Sequence, residues 1–240
     1  MKIRNRVFVK DHLEKGLTLT LDQRATHYLF NVLRCQEGEY ISIFNESTEW
    51  LSKIDKINSK DIQISIEKNI KSADKRQDIT LYFSPIKKNQ TELVIQKCTE
   101  IGVTNFQPVL MERTNFSSFN IDRLSLIAIE AIEQSEQMII PNISEPIKFE
   151  ELLSRDQKNQ IILVCSVAEN SNSIRNVVKN HSVSNYSLMI GPEGDFSATE
   201  MNNIQNKENY FTVSLGDTVL KSETASITAA AILKDSLLND

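Results

Sequence analysis

Three short segments of the sequence join an apolar run to small or turn-forming residues. They are residues 164–167, 191–194 and 215–217, which read VCSV, GPEG and LGD. Glycine lets a backbone approach a ligand closely and adopt positive φ, and Pro192 fixes φ at its turn. Loops built in this way offer main-chain donors and acceptors that could bind an adenine edge or a ribose. Any one of these loops taken alone is also explained as a plain strand-to-helix turn.

Several other chemistries lack the motifs that they require. A P-loop needs GxxxxGK[ST] and a dinucleotide site needs GxGxxG, and the sequence contains neither. No serine lies in a nucleophile-elbow motif. The three cysteines and three histidines are scattered and form no CxxC pair, which predicts reduced cytosolic thiols and no metal site. Kinase and hydrolase activities therefore have no support.

Composition and charge restrict the class of protein. No apolar run approaches the roughly 20 residues of a membrane span, and the basic start MKIRNRVFVK lacks the apolar region of a secretion signal, so we expect a cytoplasmic protein. Residues 1–76 carry 14 Lys and Arg against 11 Asp and Glu, whereas the remainder carries 13 against 21. This asymmetry predicts a basic module joined to an acidic one, although chance spread over a solvated surface explains it as well.

The segment VSLGDTVLKSETASITAAAIL, residues 213–233, is rich in small residues. It begins as a strand, passes a glycine and continues into a helix that contains Ala225, Ala229, Ala230 and Ala231. Alanine is a good helix former, which is one sufficient explanation. The alternative is that this helix packs in a tight space, where small side chains permit close approach of two backbones.

The elements that must position these segments change character along the chain. Strands are expected at 3–9, 40–44, 50–54 and 61–66, where apolar and polar residues alternate, and a short helix at 27–34. The polar stretch 68–78 has little to bury and predicts a linker. The linker divides the chain into two expected domains, residues 1–72 and 73–240.

The second domain alternates strands with helices, which predicts an α/β architecture with a mainly parallel sheet. Strands are expected at 79–83, 106–111, 161–165, 187–190 and 211–215. Helices are expected at 91–101, along a face from Leu124 to Met138, from a capping box at Ser197 to Glu200, and at 223–238. Gly102 is expected to end the first of them. In such sheets, ligands bind outside the carboxyl ends of the strands, where the three loops lie.

Five segments in the same order resemble the RsmE family, ribosomal RNA uridine-N3 methyltransferases of the SPOUT superfamily. They are HYLFNVLRCQEG at 27–38, QKCTEIG at 96–102, EAIEQS at 130–135, GPEGDFS at 191–197 and VSLGDTVLKSETA at 213–225. The resemblance covers nearly the whole chain. It implies a small PUA-like β-barrel followed by a SPOUT domain whose C-terminal segment forms a trefoil knot.

The resemblance also implies S-adenosylmethionine as the cofactor, held by backbone groups of the three loops. The implied cofactor-binding residues are Val164, Cys165, Gly191, Pro192, Glu193, Gly194, Leu215, Gly216, Leu220, Glu223, Thr224 and Ala225. Glu223 is the first candidate for an acid, base or orienting role, ahead of Glu133 and Glu100. Lys221 could stabilise the anion of the target uridine. A surface carboxylate explains each of the three glutamates equally well.

The implied partner is 16S ribosomal RNA, within the small ribosomal subunit, and the implied assembly is a homodimer. The candidate RNA-binding residues are Arg4, Arg6, Arg24, Arg34, Lys87, Lys88 and Arg113. Cations of this kind neutralise phosphates, although any one of them is also explained as solubilising surface charge.

The sequence departs from the family pattern at three places. Lys221 stands where many relatives carry Arg, Glu136-Gln137 stand where Gly-Arg is usual, and Asp195 stands where a second glycine is common. These departures keep two other functions open. One is a SPOUT methyltransferase for a ribose 2′-hydroxyl or a transfer RNA, and the other is a ribosome-assembly protein that binds RNA without catalysis. An unrelated nucleotide-binding α/β protein is disfavoured by the missing phosphate motifs.

Overall fold

The chain divides into two compact units in the computed structural model, which describes residues 5–73, 78–115, 118–155, 159–166, 172–181 and 185–238. The first unit comprises Met1–Lys75 and Ile132–Ile140, and the second comprises Arg76–Ala131 and Pro141–Asp240. The sequence predicted a single boundary after residue 72. The structure instead groups the segment Ile132–Ile140 with the first unit.

The first unit is built on a five-stranded sheet in the order β1-β3-β4-β5-β2. The strands are β1 Arg6–Phe8, β2 Thr18–Thr20, β3 Tyr40–Phe44, β4 Thr48–Ile57 and β5 Ile62–Ser72. The pairs β3-β4, β4-β5 and β5-β2 are antiparallel, and β1 runs parallel to β3. The isoleucines of alternate strand positions form its core, with Ile41, Ile43 and Ile54 fully buried. This alternation is what the sequence pattern predicts for a sheet with one solvated face.

Two local predictions for the first unit are wrong. The expected linker at 68–78 begins too early, because β5 continues to Ser72 and pairs with β4 as far as Thr48. Ladder hydrogen bonds hold these polar residues, so no apolar pattern marks them. The helix expected at 27–34 is α1, Gln23–His27, followed by a π-helical turn at Tyr28–Val32.

The second unit contains a sheet in the order β11-β13-β10-β12-β6-β7-β8, with β9 pairing to β7. The strands are β6 Ile79–Phe83, β7 Asn105–Leu110, β8 Asn142–Ile143, β9 Ile147–Lys148, β10 Gln160–Cys165, β11 Asn172–Ser173, β12 Asn185–Ile190 and β13 Tyr210–Ser214. All pairs among these described strands are parallel. The predicted α/β architecture with a mainly parallel sheet is confirmed.

Helices cover the sheet of the second unit. They are α2 Lys88–Ile101, α3 Ile121–Gln134, α4 Phe149–Ser154, α5 Ile174–Asn180, α6 Ala198–Gln205 and α7 Ser222–Leu238. Leu81 and Phe83 of β6 belong to one buried cluster, which includes residues of α2 and α7, whereas Tyr82 belongs to another, which includes Ile204 of α6. Because successive strand residues point to opposite faces, both faces are covered, and this explains the continuous apolar runs of the strands.

Two of the three helix-end predictions for the second unit are confirmed. Gly102 ends α2 with φ of 113°, and Ser197 and Glu200 form the predicted capping box before α6. The apolar face predicted to reach Met138 on α3 is wrong beyond Gln134. The chain turns out of the helix there, and Glu136 has φ of 56°.

Small residues of α7 face the interior of the second unit. The helix packs on α2 and α5, and its buried positions include Ser222, Ser226, Ala229 and Ala230. The Ser226 hydroxyl donates to the Ser222 carbonyl at 2.8 Å, so its polarity is satisfied within the helix. The small residues therefore serve close helix packing, which was one of the two explanations open from the sequence. The trefoil knot stays a prediction from the resemblance.

Candidate cofactor pocket and active site

A pocket of about 500 Å³ lies in the second unit, where β10, β12 and β13 end and α2 and α7 begin. The residues that line it are Lys87, Gln90, Cys165, Ser166, Ile190, Gly191, Pro192, Glu193, Asp195, Ser214, Leu215, Gly216, Thr218, Val219, Leu220, Lys221, Ser222, Glu223 and Ala225. The volume lies within the range of about 300–1,000 Å³ typical of small-molecule sites. The position outside the carboxyl ends of parallel strands is where α/β sheets bind ligands.

The first wall of the pocket is the turn that follows β12. Ile190 ends the strand, and its carbonyl accepts a hydrogen bond from the Ser84 amide at 3.1 Å. The Gly191 carbonyl accepts from the Ser222 hydroxyl at 3.2 Å, which ties this turn to the start of α7. A Cβ on Gly191 would lie 3.0 Å from the buried ring of Phe196. Glycine is therefore favoured here, because a Cβ would fit only if the Phe196 ring or the turn shifted by a few tenths of an ångström.

The turn then reverses at Asp195, whose amide donates to the Pro192 carbonyl at 2.9 Å. Asp195 has φ of 60°, in the left-handed region that disfavours most side chains. Its own carboxylate accepts from the Phe196 amide at 2.8 Å, a local bond that Asp can make and most residues cannot. An aspartate thus stands where the family commonly has glycine, and it adds a carboxylate to the pocket wall.

The second wall follows β13. Gly216 has φ of 136°, and the Ser214 hydroxyl donates to its carbonyl at 2.9 Å. Residues 217–221 then lead to α7, where the Ala225 amide donates to the Lys221 carbonyl at 2.8 Å. Val219 is 80% exposed, the largest exposure among the exposed large apolar residues described. These turns leave backbone groups of residues 214–216 beside the pocket.

Charged side chains of both signs line the pocket. Lys87 and Lys221 are the cations, and Glu193, Asp195 and Glu223 are the carboxylates. All of these are exposed except Glu223, which is half-buried. Cys165 also lines the pocket, and burial raises the pKa of its thiol to about 12. Because the reactive species of cysteine is the thiolate, Cys165 is unsuited to act as a nucleophile near neutral pH.

Most of the predicted cofactor-binding residues lie together around this pocket. Nine of them line it: Cys165, Gly191, Pro192, Glu193, Leu215, Gly216, Leu220, Glu223 and Ala225. Three of them do not. Val164 is fully buried on the other face of the sheet, Gly194 lies beside Arg113, and Thr224 is exposed at the start of α7. The binding roles themselves stay predictions.

The three catalytic candidates fall in different units. Glu223 and Lys221 line the pocket, whereas Glu133 lies in the first unit and is 4% exposed. The Glu133 carboxylate accepts from the Phe8 amide at 2.8 Å and from Arg24 at 2.9 Å. These partners give Glu133 a structural role in the first unit. Glu100 pairs with Lys97 one turn earlier on α2, at 2.8 Å.

Three of the RNA-binding candidates are engaged within the protein. Arg6 is 8% exposed, donates to both carboxylate oxygens of Glu49 and lies 3.5 Å from the centre of the Phe44 ring. Arg24 donates to Glu133 and to the Phe8 carbonyl. Arg113 is exposed but donates to the Gly194 carbonyl at 2.6 Å.

The other four RNA-binding candidates have different surroundings. Lys87 lines the pocket, and Lys88 is exposed at the first residue of α2. Arg34 is exposed, with φ of 55°, just after the π-helical turn of the first unit. Arg4 lies outside the described residues.

Sequence reasoning missed several pocket residues. Gln90 and Lys87 come from the start of α2, far along the chain from the glycine-containing loops. The rule that ligands bind at strand ends could have found them, because they follow β6. Ser222 was overlooked within the KSETA segment, although its hydroxyl joins two of the pocket walls.

The described part of the chain contains no group of three or more His, Cys, Asp or Glu that could hold a metal ion. Within the same residues, no helix has both the length and the apolar character needed to cross a bilayer.

Comparison with known proteins identifies both units. The family described as "RNA methyltransferase domain" matches residues 73–234, and the family described as "RNA methyltransferase PUA domain" matches residues 21–67. The ribosomal RNA small subunit methyltransferase E of Rickettsia conorii is 30% identical, over 95% of this chain and 93% of the relative.

Solved structures agree with this assignment. The ribosomal RNA small subunit methyltransferase E of Neisseria gonorrhoeae, bound to S-adenosyl methionine, has a TM-score of 0.88, covers 96% of this chain and 97% of its own, and is 24% identical. A Legionella pneumophila protein solved with the cofactor SAM bound has a TM-score of 0.87, covers 98% of both chains and is 25% identical. The first of these shows a shared fold over nearly the whole length. The matched families and the Rickettsia relative show that the chain belongs to the RsmE family of ribosomal RNA small subunit methyltransferases.

Proposed function

We propose that this protein transfers a methyl group from S-adenosylmethionine to N3 of a uridine in 16S ribosomal RNA. The observation that carries the proposal is the pocket at the ends of β10, β12 and β13, in a chain of the RsmE family. Two cations and a half-buried carboxylate line this pocket beside a wall of backbone groups. A carboxylate suits the positively charged cofactor, and ammonium groups suit an RNA base that gains negative charge during the reaction.

The residues of the pocket fit S-adenosylmethionine. Gly191, Gly216 and Ser214 bring main-chain groups to the pocket surface, where they can hydrogen-bond an adenine or a ribose. Leu215, Leu220 and Ala225 offer apolar contacts on the same surface. When bound, the cofactor supplies an electrophilic methyl group on a sulfonium. Cys165 lies on the pocket surface but remains a thiol, so it does not compete for that methyl group.

Glu223 and Lys221 are suited to handle the proton of the target base. The N3 position of uridine is an imide N–H between two carbonyl groups, so it must lose a proton before it attacks. The Glu223 carboxylate can accept that proton, and the Lys221 ammonium can stabilise the resulting negative charge on a carbonyl oxygen. Both side chains line one pocket, so they can act on a uridine whose N3 is aligned with the methyl group of the cofactor.

Because N3 takes part in Watson–Crick pairing, the target uridine must be unpaired or turned out of its helix. We expect Lys87 and Lys88 to contact the RNA backbone near the pocket, and Arg34 to contact it on the PUA unit. Arg6 and Arg24 are left out of this surface because both guanidinium groups are held inside the first unit. A homodimer that acts on the small ribosomal subunit in the cytoplasm completes the proposal.

Product analysis tests this function directly. The purified protein and radiolabelled S-adenosylmethionine are incubated with small ribosomal subunits that lack the modification, and the RNA is digested to nucleosides. We expect the label in 3-methyluridine. Label in a 2′-O-methyl nucleoside would replace the proposed reaction with ribose methylation. Cofactor binding without label in the RNA would favour an RNA-binding protein that has lost catalysis.

A further inference from the structure

The loop that follows β7, residues 111–115, contacts the turn that forms the first wall of the pocket. It is itself a tight turn, in which the Thr114 amide donates to the Met111 carbonyl at 3.0 Å and the Met111 amide donates to the Thr114 hydroxyl at 2.8 Å. The Thr114 hydroxyl also lies 2.8 Å from the hydroxyl of Ser84, a fully buried residue after β6. The Ser84 amide in turn donates to Ile190. This loop is therefore fixed at its base beside β12.

Two further bonds join the loop to the turn at 191–197 and to the first turn of α6, which follows it. The Arg113 guanidinium donates to the Gly194 carbonyl at 2.6 Å, and the Glu112 amide donates to Glu200 Oε1 at 2.8 Å. The other oxygen of Glu200 accepts from the Ser197 amide. A single buried carboxylate thus closes the capping box of α6 and holds the neighbouring loop. Glu200 is 5% exposed, so this bond is shielded from water.

The side chain of Arg113 also fills the space beside Gly194. A Cβ on Gly194 would lie 3.2 Å from Arg113 Cδ, so the stem of the arginine packs against the glycine while its charged end binds the carbonyl. A charge-assisted hydrogen bond of this length is stronger than a neutral one. Gly194 does not line the pocket, but Glu193 and Asp195 on either side of it do. Fixing the Gly194 carbonyl therefore fixes the two carboxylate-bearing residues of the wall.

We propose that Arg113 is a positioning residue of the cofactor pocket: it holds the Gly194 carbonyl and, through it, the 193–195 turn in the geometry that binds the cofactor. This inference rests on the proposed function for the identity of the cofactor. It gives Arg113 a role that differs from the RNA contact expected from the sequence. The guanidinium acts through the main chain of the turn and needs no contact with RNA or cofactor.

The test compares Arg113→Ala and Arg113→Lys with the wild-type protein and with Arg175→Ala. Arg175 is an exposed arginine on α5 of the same unit, paired with Asp235, so its removal matches the change of charge. Calorimetry with S-adenosylmethionine gives the cofactor affinity without RNA. We expect Arg113→Ala to raise the dissociation constant about tenfold. Lysine retains one donor and should recover part of the loss, and Arg175→Ala should behave as wild type.

Two further measurements distinguish a positioning role of Arg113 from a general loss of folded structure. With excess RNA, Arg113→Ala should raise the KM for S-adenosylmethionine about tenfold while kcat at saturating cofactor changes less than about twofold. Hydrogen exchange of the protein without cofactor should show several-fold faster exchange for amides of residues 193–197 in Arg113→Ala. Gly194→Ala, which displaces the Arg113 stem, should reproduce both effects in part.

Other results would overturn the proposal. If Arg113→Ala weakens binding of unmodified 16S ribosomal RNA and lowers its salt dependence, with cofactor affinity unchanged, then Arg113 is a phosphate contact. If neither affinity nor exchange changes, the bond to Gly194 does not position the turn. A wild-type protein that binds no S-adenosylmethionine would contradict the proposed function. The exchange measurement would still decide whether Arg113 holds the turn.

Discussion

The two units use charged side chains in opposite ways. In the first unit, Arg6 and Glu49 are buried, paired to each other and surrounded by further hydrogen bonds. In the second unit, Glu223 and Lys221 line a pocket and remain at least partly open to solvent. A buried pair is held in place by its partners, so its charged groups stabilise the fold and are not accessible to a ligand. Charged residues at a pocket surface stay available to a ligand. Mutations in the first unit should therefore lower the free energy of unfolding, whereas mutations at the pocket should lower activity.

The largest expected effect is on catalysis, with little change in stability. Replacing Glu223 with Gln keeps its shape but removes the proton acceptor, so we expect kcat to fall by about 10²–10⁴-fold. Because Glu223 is half-buried at the start of α7, the midpoint of thermal unfolding should change little. Methyl transfer to RNA and thermal unfolding are measured on the same protein. Wild-type turnover in Glu223→Gln would remove Glu223 as the base.

The next effect is on stability, and it arises in the first unit. Glu49→Ala leaves the buried Arg6 without its carboxylate, and the Ser42 hydroxyl loses an acceptor as well. Breaking a buried pair by removing one partner costs about 3–5 kcal/mol, so the free energy of unfolding in urea should fall by that amount. The matched control is Asp235→Ala, which breaks the exposed pair with Arg175 and should cost less than about 1 kcal/mol. Equal losses in the two variants would mean that burial does not distinguish these pairs.

A smaller effect is expected from the glycine of the pocket wall. Gly191→Ala brings a methyl group to 3.0 Å from the Phe196 ring, and that ring is buried and cannot move away freely. The turn must shift, so we expect the affinity for S-adenosylmethionine to fall about tenfold. Calorimetry measures it, and circular dichroism checks that the fold is kept. Gly16→Ala is a useful control, since a Cβ there meets nothing within 4 Å although φ is positive.

The contrast between the two units also explains which sequence predictions held. The five longer strands of the second unit were found to within two residues, because burial on both faces leaves a continuous apolar run such as 161–165. The two-residue strands β8, β9 and β11 and the short helices α4 and α5 were not predicted, since segments this short carry no clear periodicity. The glycine-containing turns were found because glycine marks positions of close contact, as at Gly191, or of positive φ, as at Gly216. The pairings of Arg6 with Glu49 and of Arg24 with Glu133 left no local signal, since they join residues 43 and 109 positions apart. Lys87 and Gln90 were not assigned to the pocket for a different reason, because the strand-end rule was applied to three loops and not to the one that follows β6.

Departures from the family pattern give the smallest and most specific prediction. Glu136 is exposed and has φ of 56°, and it is one of the positions where the sequence departs from the resemblance, which implies glycine. A left-handed conformation costs a residue with a side chain about 1–2 kcal/mol, and the greater entropy that glycine loses on folding offsets part of this. Glu136→Gly should therefore raise the free energy of unfolding by about 0.5–1 kcal/mol, measured in urea.

The variant Glu136→Ala distinguishes the effect of backbone strain on stability from the effect of removing the carboxylate. Alanine removes the carboxylate but keeps a Cβ at the same φ, so we expect no gain in stability from it. An equal gain in both variants would mean that charge, and not backbone strain, is relieved. Asp195 has the same backbone conformation, but its carboxylate bonds the Phe196 amide and lines the pocket. Asp195→Gly should therefore gain less stability than Glu136→Gly, because relief of strain is offset by loss of that bond.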